Sequence, residues 1–441
     1  MNLQFWGATE GVTGSLTVVE LPGGKIIVDC GLVQGEKDAS KKNHKGFPFE
    51  PKEIKAVILT HAHLDHCGLL PKLVKDGFRG SIYCTKATKE LALIILSDSA
   101  KLQEDDDVPL YTAEDVGRVR SLFKIKEIGQ GFKVAGATLK FQGAGHILGA
   151  VSVIIDADKR IVFSGDLGRR DDFLMFSPTF CPPSDCVVME STYGSRVRLG
   201  HLEEELKKLL SNSYKKHQVV IVASFAVARA QLLLTLIHEF YERNPQYKMD
   251  VFIDSPMMKK ANQVYKKYSD LTNHPEDLYE AIDEVNVVQH KGQWDSIKKK
   301  KGPFIVITSS GMVSGGRIWR YLSNWQSDAN AVLFLPGYQA VGTSGRFLAE
   351  GGREITDNEG NVIKWSGEVI HSDAFSSHAD QTELTDWVTS NSKDTHVFLV
   401  HGDEESKKKL KEKLLQLGVR EVTIPHHNQS IDLNNREGND E

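Results

Sequence analysis

Thr60-His61-Ala62-His63-Leu64-Asp65-His66 follows directly on the apolar run Ala56-Val57-Ile58-Leu59. Within six residues fall four side chains able to ligate a metal: His61, His63, Asp65 and His66. The apolar run reads as a short buried strand, and the polar residues open the loop at its end. Neutral imidazoles and carboxylates are ligands for first-row divalent ions. A cluster this dense predicts a metal site at a strand end.

The rest of the chain bounds that prediction. With 441 residues it is too long for one simple core, and 40% hydrophobic residues is ordinary for a globular protein. No run approaches the length of a membrane-spanning helix. The start, Met1 to Gly7, lacks a basic segment followed by an apolar one and does not read as a secretory signal. Cysteines at 30, 67, 84, 181 and 186 form neither a disulfide framework nor a tight ligand pattern, so a reducing, cytoplasmic setting is expected. A net charge of −5 does not favour a nucleic-acid partner, although a basic groove can sit on an acidic body. The lysine runs 298–301 and 407–409 read as solvated faces, and the polar tail after Ile431 as disordered.

The first 190 residues or so are rich in strand signals: 15–20, 25–29, 55–60, 81–84, 137–142, 150–156 and 160–164, with a hairpin turn at 156–159 and a helix over 87–102. Near residue 203 the rhythm changes to alternation. Helix 203–216, strand 219–223, helix 227–243, strand 250–254, helix 257–268 and strands 304–308 and 331–335 predict βαβ units and a parallel sheet. After about 365 the first pattern returns, with strands 368–371 and 396–400. An α/β domain inserted over 193–365 into a discontinuous domain, 1–192 and 366–441, accounts for this order.

Three residues outside the first cluster share its style, a polar ligand at the end of an apolar strand. They are His146 in Gly143-Ala144-Gly145-His146, Asp166 in Ser164-Gly165-Asp166, and His401 after 395–400. With His61 to His66 they supply ligands for two ions, and two ions a few ångströms apart can clamp an in-line displacement at phosphorus. Of the remaining histidines, His44, His217, His238, His274 and His290 read as surface residues. Cys67 reads as a small buried apolar residue.

His61-Ala62-His63-Leu64-Asp65-His66, the glycine-flanked His146 and Ser164-Gly165-Asp166 resemble the metallo-β-lactamase fold. Glu190-Ser191-Thr192-Tyr193-Gly194, Phe375-Ser376-Ser377-His378-Ala379-Asp380 and His401-Gly402-Asp403 look like the three further motifs of the β-CASP nucleases. The likeness spans nearly the whole chain. Its nearest form is the compact prokaryotic ribonucleases related to the cleavage subunit of pre-mRNA 3′-end processing.

That resemblance implies an αββα sandwich carrying an inserted β-CASP domain. It implies that His61, His63, His146 and Asp166 hold one ion, and that Asp65, His66, Asp166 and His401 hold a second, with Asp166 bridging. Zinc suits these ligands, and manganese or iron also fits. His378 becomes the general acid, oriented by Glu190; Asp65 is counted with them as catalytic, and Asp29 supports the ligands from behind. Ser310, Gly311, Thr343 and Arg346 are expected to meet RNA phosphates, Arg346 ahead of Arg317. The implied activity is hydrolysis of single-stranded RNA, by endo- or 5′-exonucleolytic cutting, in the cleft between the domains, leaving 3′-hydroxyl and 5′-phosphate ends. A homodimer is compatible with the chain.

Asp403 stands where the family usually has glutamate, and the stretch to His201 lacks the usual Arg-x-His spacing. No extra RNA-binding domain is expected ahead of residue 1. The rival readings are a DNA-processing nuclease of the same superfamily, a small-molecule metallohydrolase, and a non-catalytic RNA-binding scaffold. His401 weighs against the first, the insert and the Glu190/His378 pair against the second, and the intact ligand set against the third.

Overall fold

A computed structural model describes residues 1–35, 38–104, 107–198, 200–340 and 342–434. The chain divides into two compact units, Met1–Val197 with His378–Glu441, and Arg198–Ser377.

The first unit holds two seven-stranded sheets. One runs Gln429–Asp432, Asn2–Phe5, Thr17–Leu21, Gly24–Val28, Ala56–Ile58, Ser81–Cys84, Phe123–Ile125. The other runs Glu421–Thr423, His396–Val400, Cys186–Glu190, Arg160–Phe163, Val151–Asp156, Ala137–Gly143, Gly131–Val134. One apolar core joins their inner faces. Phe5, Val19, Ile26 and Ile58 of the first meet Leu139, Val153, Phe163, Val188 and Phe398 of the second. Alternation of side chains along each strand delivers these residues to a single face. Helices such as Lys86–Leu102 and Glu404–Gln416 pack against the outer strands, giving the αββα layering.

The hairpin turn at 156–159 forms as expected, with Arg160 opposite Asp156. Asp432 to Asn434, expected in a disordered tail, are described residues, and Leu433 is buried. Gln429–Asp432 is a strand paired antiparallel to Asn2–Phe5, and residues beyond Asn434 lie outside the described residues. Lys407 is not on a solvated face. It is buried, and its ammonium donates to the carbonyl of Thr9.

The second unit is built on a six-stranded sheet, parallel throughout. Its order is Asn286–Val287, Asp250–Asp254, Phe304–Thr308, Val219–Ala223, Val332–Pro336, Glu368–Ser372. Order along the chain places strand 368–371 in the discontinuous domain. It instead pairs with Val332–Pro336 at the edge of this sheet, so the second unit extends past 365. Spacing along the chain does not encode which sheet a strand joins; backbone pairing decides it. His238 is buried rather than on the surface. Its ring nitrogens stand 3.4 and 3.6 Å from Glu280 and Glu284 of the neighbouring helix, Pro275–Glu284.

Candidate metal centre

Strand Ala56–Ile58 is buried on both faces, and the chain leaves it through Thr60 into the ligand-rich loop. A short helix, Leu64–Cys67, then turns Asp65 and His66 back beneath the strand ends. Neighbouring strand ends carry the other groups. Asp29 follows Gly24–Val28, Asp166 follows Arg160–Phe163, Glu190 closes Cys186–Glu190 and His401 follows His396–Val400. Asp29 and His401 both sit in the left-handed region, at φ 59° and 53°. Non-glycine residues held there are uncommon and concentrate at functional sites.

Two glycines allow the loops to close. Gly165 has φ 59°, and Gly168 approaches the His146 loop so tightly that an added Cβ would lie 1.9 Å from the carbonyl oxygen of Gly145. The amide of Gly168 donates to Ala144 O at 2.8 Å, locking the Asp166 and His146 loops together.

The donors fall into two groups, each with its atoms within 4.8 Å of one another: His61, His63, His146 and Asp166, and Asp65, His66 and His401. In the first, His61 Nε2 is 3.2 Å from His63 Nδ1, which is 3.1 Å from His146 Nε2. Asp166 Oδ2 lies 3.4 Å from His61 and 3.6 Å from His146. In the second, His66 Nε2 and His401 Nε2 are 3.2 Å apart, and Asp65 Oδ2 is 3.3 Å from His401 Nε2. The other oxygen of Asp166, Oδ1, faces this group at 3.1 Å from His66 Nε2.

These separations fit a cation. Ligand atoms about 2.0–2.2 Å from a tetrahedral ion lie about 3.3–3.6 Å from each other. Asp166 Oδ1 is buried and accepts no well-formed hydrogen bond, although His66 stands beside it. Pairs of imidazole nitrogens at such distances have little reason to meet unless they face a shared positive charge.

The rings of His61, His66 and His401 are held from their far sides. Asp29 Oδ2 accepts from His66 Nδ1 at 2.8 Å, and the amide and hydroxyl of Thr60 donate to Asp29. Thr60 Oγ1 contacts His61 Nδ1, and Thr192 Oγ1 contacts His401 Nδ1, both at 3.1 Å. Such partners fix the tautomer and aim of a ligating ring. Sequence reading missed both threonines. Their only signal was position, one residue before His61 and two after Glu190.

The electrostatics differ between the groups. Burial pushes His61, His63 and His146 down, His63 to about 3. Burial also opposes charge on His66 and His401, but there the nearby carboxylates prevail and raise both. Asp65 and Asp166 are lowered despite burial, by the histidines around them.

His378 lies at the rim. Its Nδ1 is 3.2 Å from Glu190 Oε1, and its ring is 4.5 Å from that of His146. Glu190 is buried and takes hydrogen bonds from the amides of Leu167 (2.6 Å) and Thr192 (3.2 Å). The carbonyl of Leu167 in turn accepts from Ala379 N at 2.8 Å. The residue after Asp166 thus steadies both members of the pair.

Other expected residues fall elsewhere. Ser310, Gly311, Thr343 and Arg346 lie in the second unit, beyond the carboxyl ends of Phe304–Thr308 and Val332–Pro336. They are linked there by Gly345 N to Met312 O at 3.0 Å. Thr343 caps the helix Ser344–Ala349, and Arg346 pairs with Glu350 at 2.6 Å. Arg317 pairs with the buried Asp254 at 2.5 Å. Asp403 caps Glu404–Gln416 through Ser406 N. Cys67 is buried, its thiol donating to Ala62 O.

Three family models match the chain: the metallo-beta-lactamase superfamily over residues 9–209, the Beta-Casp domain over 230–348, and the Zn-dependent metallo-hydrolase RNA specificity domain over 362–425. Among curated relatives, Ribonuclease TTHA0252 of Thermus thermophilus is 33% identical over 98% of this chain and 100% of its own length. An RNase J-like protein of Methanocaldococcus jannaschii is 30% identical over 91% of this chain and 92% of its own. Cleavage and polyadenylation specificity factor 73 of Drosophila melanogaster is 29% identical over 93% of this chain and 61% of its own. The chain therefore belongs to the Beta-Casp branch of the metallo-beta-lactamase superfamily, and it is a metal-dependent hydrolase.

Proposed function

We propose that this protein is a ribonuclease that cleaves single-stranded RNA with two divalent ions, leaving 3′-hydroxyl and 5′-phosphate ends. The observation that carries the reading is Asp166, whose two oxygens face two separate ligand groups. Relatives named for ribonuclease activity and a matching RNA specificity domain support RNA as the substrate.

His61, His63, His146 and Asp166 would hold one ion; Asp65, His66, His401 and Asp166 would hold the other. Zinc suits these donors best. Bound there, the pair would supply a hydroxide at neutral pH and offset charge developing on the phosphate.

The chain's own residues do the rest. His378 directs Nδ1 at Glu190, which leaves Nε2 to carry a proton to the departing 3′ oxygen. That oxygen leaves poorly as an alkoxide, and a positioned acid contributes on the order of 10²–10⁴-fold. Glu190, itself held by two amides, keeps the imidazole in place. Thr60, Thr192 and Asp29 keep the ligand rings aimed.

The test is cleavage of matched RNA and DNA oligonucleotides by protein stripped of metal and reloaded with Zn²⁺ or Mn²⁺, with chemical mapping of product ends. RNA cut to 5′-phosphate products is expected. Preferential DNA hydrolysis, or turnover of thioesters with no nuclease activity, would overturn the assignment.

A further inference from the structure

The segment after Asp166 leaves the metal-ligating cluster, runs through residues 169–183 and returns into strand Cys186–Glu190. Its backbone is tied down at many points. Asp172 Oδ1 accepts from Leu174 N at 2.8 Å and Met175 N at 2.7 Å. The Ser177 hydroxyl donates to Arg170 O. Thr179 N donates to Gly143 O at 2.9 Å, and Trp387 Nε1 donates to Thr179 O at 2.7 Å. Leu174 and Met175 are buried. Between and beyond these anchors, Phe176 is 51% exposed and Phe180 41% exposed.

One exposed phenylalanine is unremarkable on a protein surface. Two of them, four residues apart on a loop this firmly held, call for a reason, and their place supplies one. An added Cβ on Gly145 would lie 2.6 Å from the carbonyl oxygen of Phe176 and 2.9 Å from Pro178 N. Phe176 is therefore in backbone contact with the residue that precedes His146. The guanidinium of Arg170 lies 5.4 Å from the Phe180 ring while pairing with Asp386 at 2.8 Å.

Single-stranded nucleic acid is gripped in two ways, by cations on its phosphates and by aromatic faces on its bases. The ligand groups and His378 address only the phosphate. Resting on the ribonuclease reading above, we infer that Phe176 and Phe180 are a stacking platform for nucleobases flanking the scissile phosphate. Stacking needs only a π face, so the platform binds every base and confers a preference for unpaired strands.

The test uses the full chain loaded with Zn²⁺ or Mn²⁺ and a set of RNA oligonucleotides, each with one abasic position. Phe176→Ala and Phe176→Leu should raise KM by about 5-fold to about 150-fold, the range expected for one stacked base. Phe176→Trp should hold KM near that of the wild type, and metal content should be unchanged in all three. One abasic position should raise the wild-type KM by a similar factor yet cost Phe176→Ala nothing more, because contacting groups are non-additive. Phe180→Ala should be blind to a different position. Wild-type KM in Phe176→Ala, or abasic penalties that add in full to the substitution, would overturn the platform while leaving the ribonuclease reading intact. Failure of the loaded wild type to cut or bind RNA would overturn both.

Discussion

Asp29 Oδ2 and His66 Nδ1 are 2.8 Å apart, and Asp29 reaches that position from a left-handed backbone conformation. With Nδ1 committed to Asp29, His66 can present only Nε2 to Asp166 and His401. Asp29→Asn keeps the shape and tolerates the backbone, but removes the charge. It should weaken metal binding at the Asp65/His66/His401 group by roughly 10–100-fold. Chelator competition measures this, and excess metal should restore activity. Unchanged affinity would count against a supporting role for Asp29.

Substitutions at the Glu190/His378 pair test the proposed proton transfer apart from metal binding. His378→Ala should keep its full metal content and lose about 10²–10⁴-fold in single-turnover rate. Asp65→Ala should lose metal at its own group and nearly all activity. Metal analysis beside single-turnover kinetics distinguishes the two. Metal loss in His378→Ala would place that ring among the ligands instead.

Acid should release metal from the two groups in order. In the metal-free chain, burial opposes charge on His66 and His401, but neighbouring carboxylates raise both. A cation there must displace protons, so its apparent affinity falls as pH drops through the raised range. His61, His63 and His146 are lowered by burial, His63 to about 3, and stay neutral well below pH 7. Equilibrium dialysis from pH 8 to pH 5 should therefore empty the Asp65/His66/His401 group first. Loss of all metal in a single step at one pH would contradict this.

Every cysteine is buried and free. Burial pushes all five thiols up, Cys181 and Cys186 to about 12. The thiolate is the reactive form, so the native protein should resist a thiol reagent at pH 8. After denaturation in guanidinium all five should react. Rapid modification of the native chain would show that one of these sites opens.

The local pattern was written plainly in the chain. The apolar run before Thr60, the His-rich loop, and the strands 81–84, 219–223, 250–254, 304–308 and 396–400 were each legible, because alternation and flanking glycines act over a few residues. Two interior strands were not: Asn2–Phe5 and Cys186–Glu190 each pair with a neighbour on both sides, and the second carries Glu190 into the site. A short run of apolar residues does not say that a partner strand waits on either side.

Which side chains could bind metal, and that an α/β segment interrupts the chain, could be read from the residues alone, since ligand chemistry and hydrophobic periodicity are properties of residues and their near neighbours. Folding in three dimensions sets how Asp166 turns one oxygen to each ligand group, how Thr60 and Thr192 brace the rings of His61 and His401, and that strand Glu368–Ser372 joins the six-stranded sheet. Those facts depend on loops from distant strands meeting within about 3 Å, which is fixed by sheet pairing and the core beneath it rather than by any stretch read alone.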